Sequence, residues 1–423
     1  MATANDGKKE IVIIGGGIIG CTSAYYLTRH PSYDPTKHKI TLLEASKIAG
    51  GASGKAGGLL ALWAYPSSLV PLSYKLHKEL AEEHGGEERW GYRRVHCGQV
   101  DCVGRGISGG RGKGRSVPGK EGEMDGNEES NVSLQKRSKD ALNKLRAKGI
   151  PKDLDWVSPN SLRAYEEMGD PSTTAQVHPY QFTTSMASLA REKGVQILEN
   201  SPVTAINYSP DGSSVSSVTY TTPSSNKPQT LPTTTLIIAS GPWTPHIYPT
   251  APISALRAHS VTIRPSRPVS AYALFTQIKL PSPFPANKAH SGQIVTPEIY
   301  ARPFTEVYAC GEGDHLAPLP PTSADVQVDE SRCQDIVDSV GSVSDELRDG
   351  EVTARQACYL PSVQGSSAPL VGFTGSEGEV MAVGHTCWGI QNAPGTGKLV
   401  SEFVFEGAGR SAKVKGLDPR NFL

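Results

Sequence analysis

The stretch from Lys8 to Glu44 constrains this chain most. Ile11-Val12-Ile13-Ile14 is an apolar, β-branched run too short for a helix, which predicts a buried strand. The run leads into Gly15, Gly17 and Gly20 at G-x-G-x-x-G spacing, Cys21 to Arg29 has helical character, and Lys39 to Leu43 alternates up to Glu44. Each part has a physical task. The first glycine makes a tight turn, the second lets a pyrophosphate approach the backbone, and the third lets the helix pack on the strand. The helix start offers unpaired N–H groups and a positive dipole end to phosphates, and Glu44 can accept from ribose hydroxyls. A glycine-rich turn alone is weak evidence, but strand, turn, helix, strand and terminal acid occur here in order. Dinucleotide binding is therefore expected, with NAD and FAD both open.

A chain of 423 residues exceeds one compact core and predicts two domains. Lys plus Arg and Asp plus Glu are 42 each, so no global field favours nucleic acid or an acidic membrane. No apolar run is long enough to span a bilayer, and the polar first ten residues do not resemble a secretory signal. Seven cysteines, spaced like neither a zinc site nor a disulfide scaffold, favour reduced thiols and no metal. The final Asn421-Phe422-Leu423 is not a peroxisomal address, so a cytoplasmic location is expected.

Beyond Glu44, residues 46–58 are too rich in glycine for a regular element and predict a loop whose backbone approaches something closely. Leu59 to His84 reads as helical, Tyr92 to Val103 as a strand, and Trp156 to Glu167 as a turn followed by a helix. Gly104 to Lys139 is polar, charged and glycine-rich, which predicts a disordered insertion. Its Arg-Gly portion is offset by the acidic Glu121 to Glu129, so RNA contact is not expected, and Asp140 to Lys148 reads as a short helix. Strands are expected at 195–198, 203–206, 236–239 and 379–383, a hairpin over 215–234, and helices over 181–193, 325–340 and 395–406. The proline-rich span from Pro252 to Pro321 predicts a largely antiparallel sheet.

Three stretches then fall together: the N-terminal unit, the run Ile238-Ala239-Ser240-Gly241-Pro242-Trp243, and Val383 to Gly397. With Val177-His178-Pro179 they resemble the FAD-dependent amine and amino-acid oxidoreductases, which include D-amino-acid oxidase, glycine oxidase and sarcosine oxidase, and most closely their fungal branch. The resemblance implies FAD, and an α/β fold. In it, a Rossmann-like FAD-binding domain of glutathione-reductase type is interleaved with a substrate domain on a mixed, mostly antiparallel sheet. The expected boundaries are 8–91, 172–250 and 351–423 for the first domain, and 92–103, 140–171 and 251–350 for the second. It further implies oxidation of the C–N bond of an amino acid or secondary amine, by hydride transfer to flavin N5. Imine hydrolysis and reoxidation by molecular oxygen, giving peroxide, would follow. A dehydrogenase with another electron acceptor, or a flavoprotein acting mainly through protein partners, are the alternatives.

By the same resemblance, FAD is expected against Gly15, Gly17, Ile18, Ile19, Gly20, Glu44 and Ala45, and against the loop Ser53, Gly54, Lys55, Ala56, Gly57 and Gly58. Val203, Ser240, Gly241 and Trp243 would contact its middle, and Gly384, Gly389, Ile390 and Gln391 its flavin end. Lys55, Arg355, His385 and Gln391 are the candidate catalytic residues, and Arg302, Arg355 and Trp388 the candidate substrate contacts. An arginine suits a carboxylate because its planar fork binds both oxygens. Cys358 stands near the family's thioether tether to the flavin, against the alternative of a small buried hydrophobe. Two departures bear on the substrate. Gly57-Gly58-Leu59-Leu60-Ala61 lacks the arginines that sarcosine oxidases carry here, and no lysine lies between Lys288 and Lys398 to activate oxygen from the sheet.

Overall fold

The computed structural model describes residues 9–107, 149–223, 225–286 and 288–423; the predicted insertion beyond Ile107 and the helix at 140–148 lie outside them. The opening stretch folds as predicted: strand β1 (Lys9–Ile14), helix α1 (Ile18–Leu27) and strand β2 (His38–Leu43). β1 pairs in parallel with β2 on one side and with Thr235–Ile238 on the other. Further out lie Gln196–Leu198 beyond β2, and Glu379–Val383 and Leu370–Phe373 beyond Thr235–Ile238. This six-stranded sheet is parallel except for the Leu370–Phe373 edge. Its strands are continuous apolar runs because helices cover them, and α1 itself buries eight of its ten residues.

A second, eight-stranded sheet runs in the order Glu351–Val363, Ile253–Arg264, Glu306–Asp314, Glu298–Arg302, Tyr272–Lys279, His96–Val103 and Leu162–Gly169, with Ile294–Val295 beside Tyr272–Lys279. All its pairings are antiparallel except Tyr272–Lys279 with His96–Val103. The α/β class with a mixed, mostly antiparallel second sheet is thus present. One face of this sheet packs on the helix Glu330–Gly341 around Val261, Ile263, Val307, Ala309 and Ile336. The opposite face carries Tyr300, Tyr308 and Ala273 toward the first sheet's domain. Among the described residues, no helix is long and apolar enough to cross a membrane.

Several expectations need correction. Glu351–Val363, expected with the first domain, pairs along its length with Ile253–Arg264 as an edge strand of the eight-stranded sheet. Leu162–Gly169 is a strand, not a helix: its Leu, Ala, Arg and Glu favour a helix locally, but pairing with His96–Val103 overrides that weak preference. The glycine-rich loop contains a helical turn, Ala52–Lys55, and the Leu59–His84 stretch is a short strand, Leu59–Ala61, before a helix, Val70–His84.

Candidate functional site

A long groove starts at the β1–α1 turn and ends at Gly389 and Ile390. It holds about 1280 Å³ of empty space, counting its open mouth. Gly15 sits at φ +112°, and a Cβ there would lie 2.4 Å from the Ala239 carbonyl oxygen. A Cβ on Gly20 would lie 1.9 Å from the Gly15 oxygen, so this glycine sets how closely α1 meets the turn. Gly17 meets only the Ser53 hydroxyl, at 3.1 Å, which leaves its outward side open to the groove. Ser53, on the Ala52–Lys55 turn, accepts the Ile18 N–H at 2.9 Å. Glu44 accepts from the N–H groups of Gly16 (2.7 Å) and Ser46 (2.8 Å), which holds its carboxylate at the groove wall.

The far end has its own architecture. Glu379–Val383 ends at Gly384, φ +81°, and the helix Gly389–Glu406 starts with its N-terminus toward the groove. Pro394 inside this helix has no N–H for the Ile390 carbonyl; the buried His77 Nε2 donates to that oxygen instead, at 2.9 Å. Thr22 of α1 donates to the Ala393 carbonyl at 3.0 Å, and a Cβ on Gly397 would lie 2.6 Å from the Thr22 backbone. The Pro-Gly-Thr-Gly sequence therefore allows two helices to touch backbone to backbone. Thr396 in turn lies 2.9 Å from His385 Nε2. Burial holds His385 at a pKa of about 3, so its imidazole is neutral at neutral pH. Gln391 accepts the Ala61 N–H through Oε1 at 2.8 Å, while its buried Nε2 has no protein partner.

Of the predicted cofactor contacts, Gly15, Gly17, Ile18, Ile19, Glu44, Ala45, Ser53, Ala56, Val203, Ser240, Gly241, Trp243, Gly384, Gly389 and Ile390 line the groove, as does His385. Gly20, Gly54, Lys55, Gly57, Gly58, Cys358, Gln391 and Trp388 do not, and most of them shape its surroundings. A Cβ on Gly57 would lie 2.1 Å from the Tyr300 ring, so only glycine lets the loop cross that face. The groove also uses Pro321, Thr322, Ser323, Leu360 and Pro361, which no motif announced; Ser323 Oγ meets Ser46 Oγ at 2.5 Å across the two domains. A glycine cradle and a helix N-terminus at each end fit an extended, phosphate-bearing nucleotide.

The second-sheet candidates fare differently. Strand alternation puts Arg355 on the same face as Val261, against Glu330–Gly341, where it meets Gln334 Oε1 at 2.5 Å and Glu330 at 3.6 Å. That is the face opposite Tyr300 and Tyr308, which removes Arg355 as a catalytic or carboxylate-binding group. A partly exposed pair of this kind is worth ~0–1 kcal/mol. Arg355→Ala should accordingly leave flavin content unchanged and the KM of any substrate within about threefold, as checked by flavin absorbance and steady-state rates.

Arg302 is buried, but its guanidinium donates to the Ala56 carbonyl and the Gly57 carbonyl (3.3 Å), pairs with Glu306 at 2.8 Å and stacks on Tyr308. Those bonds clamp the Ala56–Gly57 loop to the sheet and leave no fork for a substrate carboxylate. Lys55 Nζ donates to the Ala357 carbonyl at 2.9 Å, and burial lowers its pKa. Cys358 is buried beside it, with a thiol pKa pushed up to about 11 by burial, so it is protonated at neutral pH. All seven cysteines are free thiols.

Comparison with known proteins agrees with this geometry. The model of a family described as FAD dependent oxidoreductase matches residues 10–403. "Putative oxidoreductase TDA3" of Saccharomyces cerevisiae is 36% identical, over 99% of this chain and 96% of its own length. Two solved structures share the fold at 17% identity: L-proline dehydrogenase from P. horikoshii (TM-score 0.66, 98% of both chains) and glycine oxidase from Geobacillus kaustophilus (TM-score 0.65, 97% of this chain and 98% of that one). With a family match that spans its glycine turn, both sheets and its C-terminal helix, the chain belongs to the FAD-dependent oxidoreductases.

Proposed function

We propose that this protein oxidises the C–N bond of an amine or amino acid to an imine, which water then hydrolyses. The observation that carries the reading is the position of Gly384 to Gln391. This segment closes the groove that starts at the glycine turn, and its own Trp388 packs against the aromatic face of the second sheet. Bound FAD would supply the two-electron acceptor for this oxidation, with oxygen as the final acceptor and peroxide as product. Gly15, Gly17, Ile18, Ser53 and Glu44 would hold its nucleotide end, and Gly384, Gly389 and Ile390 its ring end.

The chain's own residues then position the substrate. Trp388, Trp63 and Tyr65 are in edge contact with one another through Trp388, at 5.5 Å and 6.0 Å, and make a mouth that limits water. His385 is neutral at neutral pH, so it adds no positive charge that would repel an incoming substrate ammonium. Cys358 remains a candidate for covalent attachment of the cofactor, which would need a base to take its thiol proton and oxygen as the two-electron oxidant for forming the C–S bond. The names of the two structural neighbours, glycine oxidase and L-proline dehydrogenase, support an amine nitrogen as the group oxidised. Lys55 is the cation available to favour reaction with oxygen, and its tie to the Ala357 carbonyl favours a second reading in which another acceptor takes the electrons.

Aerobic incubation with a panel of amines and amino acids tests the reading through two products, a carbonyl compound and peroxide. A carbonyl product with stoichiometric peroxide supports it. A carbonyl product that appears only with an added electron acceptor supports the dehydrogenase reading, and no carbonyl product from any member rejects both.

A further inference from the structure

On the face of the eight-stranded sheet turned toward the FAD-binding domain, cross-strand pairing sets Phe275, Glu298, Cys310 and Ser260 in one row. Tyr300 and Tyr308 form the next row, and their rings stack at 5.9 Å. From there a continuous series of ring contacts leads outward. Tyr300 meets Phe275 at 6.1 Å, Phe275 meets Trp63 at 6.1 Å, Trp63 meets Trp388 at 5.5 Å, and Trp388 meets Tyr65 at 6.0 Å. Tyr300 and Tyr308 are buried, Phe275 and Trp388 half-buried, and Trp63 and Tyr65 exposed, so the series runs from solvent to the sheet. Cys387, next to Trp388, lines the groove and lies close enough to Glu298 to feel its charge.

Glu298 is the one acid in this aromatic series, and its position is unusual. The Tyr300 hydroxyl donates to its Oε2 at 2.5 Å, and the Cys310 thiol lies 3.8 Å from the same oxygen. Among the described residues, no lysine, arginine or histidine makes an ion pair with it. The arginines that pack beneath these strands are engaged elsewhere: Arg302 with Ala56, Gly57 and Glu306, and Arg93 with Gln176 and the Ala301 carbonyl. A half-buried carboxylate without a cation costs free energy, since burial disfavours its charged form. Burial does raise its pKa here, against the lowering effect of the two hydrogen bonds. Phe275 is its cross-strand partner and carries the ring contacts with Tyr300 and Trp63, and an aromatic face offers a cation the negative side of its quadrupole.

We propose that Glu298 and the rings of Trp63, Trp388, Phe275 and Tyr300 form the substrate-selecting site, and that they take the positively charged nitrogen of an amine without a free carboxylate. This deepens the function proposed above and rests on it only for the claim that the bound amine is oxidised. It also accounts for the two arginines that do not reach the site. A carboxylate ligand would find an acid there and no free guanidinium.

Isothermal titration of the FAD-loaded protein with choline, with its uncharged carbon isostere 3,3-dimethylbutan-1-ol and with acetate tests the proposal without turnover. Choline should bind at least ~10-fold more tightly than the isostere, as a charge-assisted contact plus ring faces implies. Acetate should not displace it. Glu298→Gln should weaken choline by about tenfold, since it removes the charge and keeps the shape. Trp63→Leu, at a half-exposed position that folding tolerates, should weaken choline by about threefold. No choline binding, equal binding of the isostere, or indifference to Glu298→Gln and Trp63→Leu overturns the proposal. The two readings separate cleanly. Glu298-dependent choline binding in a protein that oxidises no amine would sink the oxidation and keep this site, whereas amine oxidation indifferent to Glu298→Gln would do the reverse.

Discussion

Gly15→Ala and Gly20→Ala should each leave a protein that purifies without FAD and unfolds early. At Gly15 two costs add: a backbone at φ +112° that an alanine adopts only under strain, and a Cβ 2.4 Å from the Ala239 oxygen. Strain of this kind costs ~1–3 kcal/mol and overpacking another ~1–3. At Gly20 the obstacle is the Gly15 carbonyl itself, which cannot move without opening the turn. Against a total stability of ~5–15 kcal/mol for a typical protein, either loss is large. Gly17→Ala is the informative contrast. Its Cβ meets only the Ser53 hydroxyl, at 3.1 Å, and no backbone, so the fold should survive while the groove narrows where phosphate must approach. Flavin content per protein, with urea midpoints, distinguishes the cases. Gly15→Ala and Gly20→Ala lose both quantities, and Gly17→Ala loses flavin with its midpoint nearly unchanged. Full flavin occupancy in Gly20→Ala would show that the turn is not the cofactor cradle.

Mild acid should destabilise the protein strongly between pH 6.5 and 4.5. Burial holds His77 at a pKa of about 4 and His385 at about 3, against 6.5 for a free imidazole. The sign follows from linkage. Below pH 6.5 the unfolded chain binds protons on both rings and the folded chain does not, so stability present above pH 6.5 is lost as pH falls toward those values. Each group contributes about 1.4 kcal/mol per pH unit, so the pair costs roughly 5 kcal/mol over two units. Glu298 and Asp338, both raised by burial, act in the opposite sense and soften the loss. The chemistry at His77 sharpens the test. It donates to the carbonyl that Pro394 leaves unpaired, a task that a glutamine amide can take over without titrating. His84 and His259, also lowered by burial, add to the loss, so His77→Gln should reduce the acid slope in urea titrations at pH 7, 6 and 5 without abolishing it. An unchanged slope would mean that His77 is not held neutral by its surroundings.

The parts of this molecule legible in its sequence are those where the chemistry is local. The β1–α1–β2 unit and the Gly384 to Gly397 stretch each place a turn, a glycine and a helix start within a few residues, so spacing alone carries the geometry. The face of the eight-stranded sheet was not legible in this way. Whether Arg355 or its neighbour Gln356 points toward the flavin side depends on register against Ile253–Arg264, and a shift of one residue exchanges the faces. The same holds for Glu298, whose significance appears only when Phe275, Cys310 and Tyr300 are seen beside it. Leu162–Gly169 failed for a related reason, because an edge strand rich in Glu, Arg and Ala is extended by its partner and not by its own composition.

The central claim is that an amine reduces FAD held between the glycine turn and Gly389. Anaerobic mixing of the flavin-loaded protein with a panel of primary, secondary and quaternary amines and amino acids, followed at the visible flavin band, tests it most directly. The account predicts that at least one amine without a carboxylate bleaches the band fully, that air restores it, and that quaternary ammonium ions bind without bleaching it. A band that survives every amine in the panel would contradict it.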